Sequence, residues 1–180
     1  MNDLHTIGDL VRHHIRDIPD YPQPGILFKD ITPLLADATA FAQVIEALCA
    51  PWRNHQPRVD KVVGIEARGF ILAAPVALAL DVGFVPVRKL GKLPAATHTQ
   101  AYDLEYGEET LEVHQDAFTQ GERVLVIDDV LATGGTVEAA GQLIRAAGGV
   151  VVGASVLLEI TALDARARLG ELSVHSLLAV

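Results

Sequence analysis

From Val124 to Thr136 the chain reads VLVIDDVLATGGT, an apolar run closed by two consecutive acids and then a glycine pair. A short apolar run bounded by turn signals fits a strand buried on both faces. Helical spacing follows at once, with Val137, Ala140, Ile144 and Ala147 on one stripe and Gly148–Gly149 closing it. Strands buried on both faces belong to parallel sheets covered by helices. This strand–turn–helix therefore restricts the chain to the α/β class before any other segment is read.

The rest of the sequence repeats the alternation. KVVGI (61–65), GFVPV (83–87), ERVLVIDDV (122–130) and VVGASVLLE (151–159) read as strands, and GFILAAPVALAL (69–80) reads as a buried helix. The order predicts a parallel sheet flanked by helices. Leu4, Ile7, Val11, Ile15 and Ile18 predict a first helix over 4–18. Phe41, Val44, Ile45 and Leu48 predict another that stops before Pro51. DYPQPGILFKDITP between them predicts an ordered loop with a short extended piece. TQAYDLEYGEETLEVHQ (99–115) has Gly107 between two polar, partly alternating arms, which predicts a long exposed hairpin with little core burial. With 180 residues, half of them hydrophobic, and no repeat or linker, one domain over 1–180 is expected.

Charge limits the partners. The formal net charge is −9, and no basic stripe is visible, so duplex nucleic acid is not an expected partner. No apolar run nears the roughly 18 residues of a membrane span, so a membrane is not expected either. The one cysteine, Cys49, has no internal partner for a disulfide, and MNDLHTIGDLVRHHIRD has no secretory core. A cytoplasmic location is the expectation. A polyanionic ligand would have to be held by backbone N–H groups, a metal ion and a few placed cations.

The segment 124–136 supplies such a place. Gly134 and Gly135 let the backbone approach a phosphate, the N–H groups of the following helix start face an anion, and Thr133 and Thr136 add hydroxyl donors. The lysine of a P-loop and the GxGxxG of a dinucleotide site are both absent. Asp128 and Asp129 would repel a phosphate unless they face something else. The two hydroxyls of a ribose, or a bound Mg²⁺, satisfy carboxylates, so a ribose 5-phosphate is the ligand that fits. The plainer alternative is an ordinary glycine turn with an acidic cap.

This segment closely resembles the phosphoribosyl pyrophosphate signature of type I phosphoribosyltransferases. YPQPGILFKDITPLL (21–35), IEARGF (65–70), RKLGKLP (88–94) and YDLEYGEETLEVH (102–114) resemble blocks of the adenine phosphoribosyltransferases, in that family's order. The resemblance implies a flanked parallel sheet with a small N-terminal hood (1–35) and a β-hairpin flap (97–115). It implies purine salvage: adenine and phosphoribosyl pyrophosphate give AMP and pyrophosphate, with Mg²⁺ bound through substrate and Asp128 and Asp129 as candidate protein ligands. Asp128, Asp129, Ala132, Thr133, Gly134, Gly135 and Thr136 would take the ribose 5-phosphate. Glu66, Ala67, Arg68 and Gly69, with Arg88, Lys89 and Lys92, would take pyrophosphate, one or more of these cations reaching a neighbouring subunit of a homodimer. Leu27, Phe28 and Lys29 would take adenine. Arg68 and Glu105 are the implied catalytic residues, Glu105 as acid/base, and Tyr106 lies on the flap beside it.

Each assignment has a plainer counterpart. Arg68 would otherwise be a surface arginine at a helix start, where the macrodipole disfavours a cation. The 88–92 cluster would be a solvated basic turn, and Glu105 one acid among Asp103, Glu108, Glu109, Glu112 and Asp116 on a solvated face. Phe28 would be a core phenylalanine. Family members commonly carry arginine where this chain has Lys29, a change that matters if the side chain binds and is neutral if only the backbone does. The seven histidines show no metal-ligand spacing, and Trp52 and Cys49 read as packing residues. Two other functions stay open here: a 6-oxopurine transferase, and a non-catalytic regulator that binds phosphoribosyl pyrophosphate. A plain nucleotide-binding structural protein would leave the hairpin unexplained.

Overall fold

Alternate residues of the central strands face opposite cores. Val62 packs with Leu125 and Ile127 on one side, while Val63 packs with Val124 and Val126 on the other, as the two-residue period of a strand requires. The computed structural model describes residues 6–104 and 107–180. Its elements are α1 (Ile7–His14), β1 (Arg16–Pro19), β2 (Leu27–Asp30), α2 (Thr32–Ala36), α3 (Ala38–Cys49), β3 (Lys61–Ile65) and α4 (Arg68–Leu80). Then come β4 (Gly83–Lys89), β5 (Thr97–Leu104), β6 (Gly107–His114), β7 (Arg123–Leu131), α5 (Gly135–Ala146), β8 (Val150–Glu159), a 3₁₀ turn (Thr161–Leu163), α6 (Ala165–Leu169) and β9 (Val174–Ala179).

A seven-stranded sheet runs in the order β5-β6-β4-β3-β7-β8-β9. Strands β4, β3, β7, β8 and β9 are parallel, and the β5–β6 hairpin extends one edge antiparallel. Leu10 and Val11 of α1, Val44 and Leu48 of α3, and Leu72 and Val76 of α4 cover one face; Ala140, Leu143 and Ile144 of α5 cover the other. The α/β class with a mostly parallel, helix-flanked sheet is thus observed. No helix among the described residues is long and apolar enough to cross a membrane.

Three local expectations are corrected. The first helix stops at His14, and Arg16–Pro19 instead pairs antiparallel with Leu27–Asp30. Pro19 biases Ile18 to extended backbone, and the cross-strand pairs Arg16–Asp30 and Lys29–Asp17 reward the strand. The short helices α2 and α6 and the edge strand β9 were not expected at all. The hairpin is also better buried than its composition implies: Tyr102, Leu111 and Val113 join Val137 of α5 in the second core.

Candidate active site

The chain leaves β3 for β4 on one side of the sheet and returns to β7 on the other. Loops leaving β3 and β7 therefore diverge, and a crevice opens at the strand ends, where open α/β sheets bind ligands. The Asp pair lies near the end of β7, two residues before Leu131, on one wall. Glu66 to Gly69 leads from β3 into α4 on the other, with a cis peptide between Glu66 and Ala67. The walls touch: a Cβ on Gly69 would lie 2.9 Å from Asp128 Oδ1 and 3.1 Å from the Ile127 carbonyl. Gly69 is thus the residue that lets the start of α4 close onto β7.

Asp128 and Asp129 are both buried. The Asp129 amide donates to Asp128 Oδ1 at 2.9 Å. Arg68 Nε lies 2.9 Å from Asp129 Oδ2, yet no hydrogen-bond donor among the described residues is aligned on that oxygen. Burial, then the charge of its neighbour, pushes the Asp128 carboxyl well above the usual range. Burial raises Asp129 too, against the pull of Arg68. Two acids that cannot both shed their protons cheaply, one with an oxygen lacking an aligned donor, suit a ligand that brings hydroxyl donors or positive charge.

Arg68 reaches further. Its Nη1 donates to the Lys29 carbonyl at 3.0 Å, and its guanidinium carbon lies 4.9 Å from the centre of the Phe28 ring. Phe28 in turn meets Tyr21 edge-to-face at 5.1 Å. One arginine therefore ties the N-terminal hairpin to the acid pair. The Lys29 side chain is engaged elsewhere, with Asp17 at 2.7 Å, so it is the Lys29 backbone that enters this junction. Leu27 is half exposed, at 50%.

After β7, Ala132 and Thr133 lead to Gly134, which has φ of +83° and precedes the first turn of α5 at Gly135 and Thr136. A positive φ there is cheap only for glycine. A cavity of about 410 Å³ opens over this turn. Ala132, Thr133, Gly134 and Thr136 form its floor, Pro22, Gln23 and Ile26 one side, and Ile160 and Leu163 another. Leu27, Phe28 and Lys29 are not among its lining residues; the hood residues that line it lie just before them.

The basic cluster is held by acids. Glu66 accepts from Arg88 Nε at 3.3 Å and from the Lys89 amide at 2.9 Å. Burial works against its charge, but those donors outweigh it and keep the carboxyl below its ordinary value. Arg88 Nη1 also reaches the Lys92 carbonyl at 3.1 Å. Buried Glu112 accepts the Lys92 and Leu93 amides at 2.7 and 2.8 Å, which shapes the turn after β4. Lys89 pairs with Glu109, whose other oxygen accepts from the Tyr102 hydroxyl at 3.0 Å. Burial pushes the Tyr102 phenol up to about 12.

Glu66 to Gly69, Arg88 to Lys92 and Asp128 to Thr136 thus gather at one end of the sheet, with Phe28 and Lys29 beside Arg68. Glu105 and Tyr106 lie outside the described residues. No cluster of three or more metal-binding side chains occurs among the described residues. Glu112, grouped in the sequence with acids of a solvated face, is instead buried and shapes the turn after β4; Tyr102, Ile160 and Leu163 were not singled out in the sequence.

A model of the phosphoribosyl transferase domain matches residues 34–173. The chain is 61% identical over 174 residues to an adenine phosphoribosyltransferase of Acidothermus cellulolyticus, with 97% of each chain covered. An adenine phosphoribosyltransferase from Rhodothermus marinus superposes with a TM-score of 0.91 at 50% identity, covering 97% of this chain and 98% of that one. One from Saccharomyces cerevisiae, solved with adenine and an imino-altritol bisphosphate, superposes with a TM-score of 0.90 at 34% identity, covering 96% and 98%.

Proposed function

This chain belongs to the adenine phosphoribosyltransferases of the phosphoribosyl transferase domain family, and we propose that the crevice between Arg68 and Asp129 is where it joins adenine to phosphoribosyl pyrophosphate. Its activity is that of a pentosyltransferase in purine salvage, giving AMP and pyrophosphate. The single observation that carries the placement is the buried acid pair, with an Asp129 oxygen lacking an aligned donor, next to the glycine turn that floors the cavity.

In this reading the two hydroxyls of the ribose donate to Asp128 and Asp129, and the amides of 132–136 hold the 5-phosphate at the start of α5. A purine ring nitrogen attacks the ribose C1 as the bond from C1 to pyrophosphate breaks. Positive charge develops on the sugar and negative charge on the leaving group. Arg68, Arg88, Lys89 and Lys92, with the amides of Ala67 and Gly69, take the leaving pyrophosphate. Arg68 must then exchange its contact with Asp129 for one with the substrate. Adenine lies at the hood end of the cavity, between the loop before Phe28 and the wall at Ile160, its edge read by main-chain groups near Leu27 and Lys29. Glu105 exchanges a proton with a purine nitrogen once the hairpin, with Tyr106, covers the site and excludes water.

Two carboxylates without a third ligand do not make an all-protein metal cage. They do fit a Mg²⁺ held mainly by substrate oxygens, which is how this ion commonly binds. Bound in that way, Mg²⁺ would offset charge on the pyrophosphate.

A homodimer and a cytoplasmic location complete the proposal. Ile71 and Leu78 project from one outer stripe of α4, Leu78 at 82% exposure, with Phe84 and Leu90 also exposed, which supports a second copy covering that face. The lone Cys49 is buried and unpaired, as suits a reducing compartment.

Incubation with labelled adenine, hypoxanthine or guanine, each with phosphoribosyl pyrophosphate and Mg²⁺, tests the base assignment. Adenine is expected to be converted and the 6-oxopurines to be poor substrates. Hypoxanthine turning over as fast as adenine would overturn it.

A further inference from the structure

The wall and the floor of the cavity meet in one short segment. Ile160 and Leu163 line the cavity. Two residues on, α6 packs against the glycine turn: a Cβ on Gly134 would lie 3.2 Å from the Ala165 carbonyl and 3.4 Å from both the Ala165 Cβ and the Leu169 Cγ. With only five residues, α6 is far below the length at which a helix holds itself in water. Its place must come from contacts outside it.

Ala165 and Leu169 pack into the second core, and the polar contacts converge on Arg166. Its Nε and Nη2 donate to the two oxygens of Glu159 at 2.7 and 2.8 Å, and Nη1 donates to the Val174 carbonyl at 3.1 Å. Glu159 is the last residue of β8, buried, and paired in register with Leu131 and Ala179. Ser176 Oγ donates to the same carboxylate at 2.7 Å. A planar fork on a carboxylate fixes orientation as well as distance, which a lysine cannot reproduce. Arg168, paired with Glu138 of α5, and Thr161, which donates to the Val180 carbonyl at 2.7 Å, hold the two ends of the segment. Neither of these ties reaches β8 through a buried side chain.

We propose that Glu159 and Arg166 are positioning residues for adenine and nucleotide binding, a bidentate buckle that sets the base wall at Ile160 and Leu163 and the phosphate turn at Gly134 together. The proposal rests on the cavity being the nucleotide site. Neither residue touches substrate. Loosening the buckle lets the segment drift from both ends of the ligand, so AMP, which spans both, reports the change most fully. The groups that meet charge as it develops at C1 and on the leaving pyrophosphate, Arg68 and the 88–92 cations, lie outside this segment, so turnover at saturation is affected less than binding.

Arg166→Met, Arg166→Lys and Glu159→Gln test this, beside Asp60→Asn as a control. Asp60 and Arg123 form a matching bidentate pair, with 2.6 Å contacts, at the opposite end of the sheet. The expected result is a rise of about tenfold in the adenine KM and the AMP Kd of Arg166→Met, the size of one lost charge-assisted hydrogen bond. Arg166→Lys and Glu159→Gln should fall between it and the unmodified protein, all with kcat within about threefold. Asp60→Asn should lower the melting temperature yet leave both constants within about twofold, because distant sites do not couple. The buckle is overturned if Arg166→Met shifts them no more than Asp60→Asn, or if kcat falls as steeply as affinity. Where Arg166→Met does not fold, Glu159→Gln, nearly isosteric, decides by the same measure. Should the unmodified protein bind AMP with no loss of affinity in Thr133→Val, the cavity assignment itself fails. Weak binding by Thr133→Val with full binding by Arg166→Met removes only the buckle.

Discussion

The Arg68 guanidinium lies 2.9 Å from the buried carboxylate of Asp129, and the same side chain donates to the Lys29 carbonyl. One residue therefore joins the N-terminal hairpin, the loop after β3 and the acid pair of β7. Replacing it with lysine keeps a charge but loses the planar fork, so both contacts cannot be held together. Arg68→Lys should lower kcat/KM for both substrates by roughly 10–100-fold. Steady-state kinetics check this, and unchanged values would remove Arg68 from the site.

Asp128 carries a cost in the free protein. Its pKa in the folded state is raised, first by burial and then by Asp129, so as pH climbs above the unfolded value the folded state resists losing the proton and stability falls. Asp128→Asn keeps the oxygen that accepts the Asp129 amide but has no charge to bury. It should raise the melting temperature at pH 7–8, by about 2–4 °C for each kcal/mol relieved, with the gain vanishing near pH 4. Binding of phosphoribosyl pyrophosphate should weaken in parallel. Calorimetry across that range, with and without ligand, separates the two effects; a gain independent of pH would contradict the burial argument.

Glu105 is assigned to proton exchange with the purine. A general acid/base typically contributes about 10²–10⁴-fold, so Glu105→Gln should depress kcat by at least about 100-fold while leaving the KM values nearly in place. Single-turnover measurements would expose a loss confined to binding, which would instead make Glu105 a contact residue.

Gly134 is constrained twice, by a φ of +83° and by the Ala165 carbonyl. An alanine there meets a left-handed penalty of about 1–2 kcal/mol and also pushes on α6. Gly134→Ala should unfold several degrees lower and bind AMP on the order of tenfold more weakly. AMP titration followed by calorimetry measures both; normal AMP affinity would show that the turn does not grip the phosphate.

Much of the architecture was legible because buried parallel strands leave unmistakable runs. KVVGI and VLVI, set between helical stripes, fit no other class. Boundaries failed where tertiary pairing outweighed local pattern. Ile15 and Ile18 carry helical spacing, yet the pairing of Arg16 with Asp30 makes that stretch a strand. VHSLLA is short and interrupted by two adjacent polar residues, and it becomes β9 only because β8 offers an open edge; its Ser176 is used by Glu159. In the site, contiguous motifs such as Asp128 to Thr136 could be read directly. Glu159 and Arg166 could not, since a carboxylate at a strand end acquires meaning only when a distant guanidinium folds onto it. Lys29 shows the same limit: the sequence marks it as unusual, and only the Asp17 contact shows what its side chain does.

AMP is expected to sit in the crevice between Arg68 and Asp129. A crystal structure of the AMP complex should place the ribose hydroxyls within hydrogen-bonding distance of Asp128 and Asp129, and the phosphate on the amides of residues 132–136. Nucleotide bound elsewhere, with the acid pair unchanged and still facing Arg68, would contradict it.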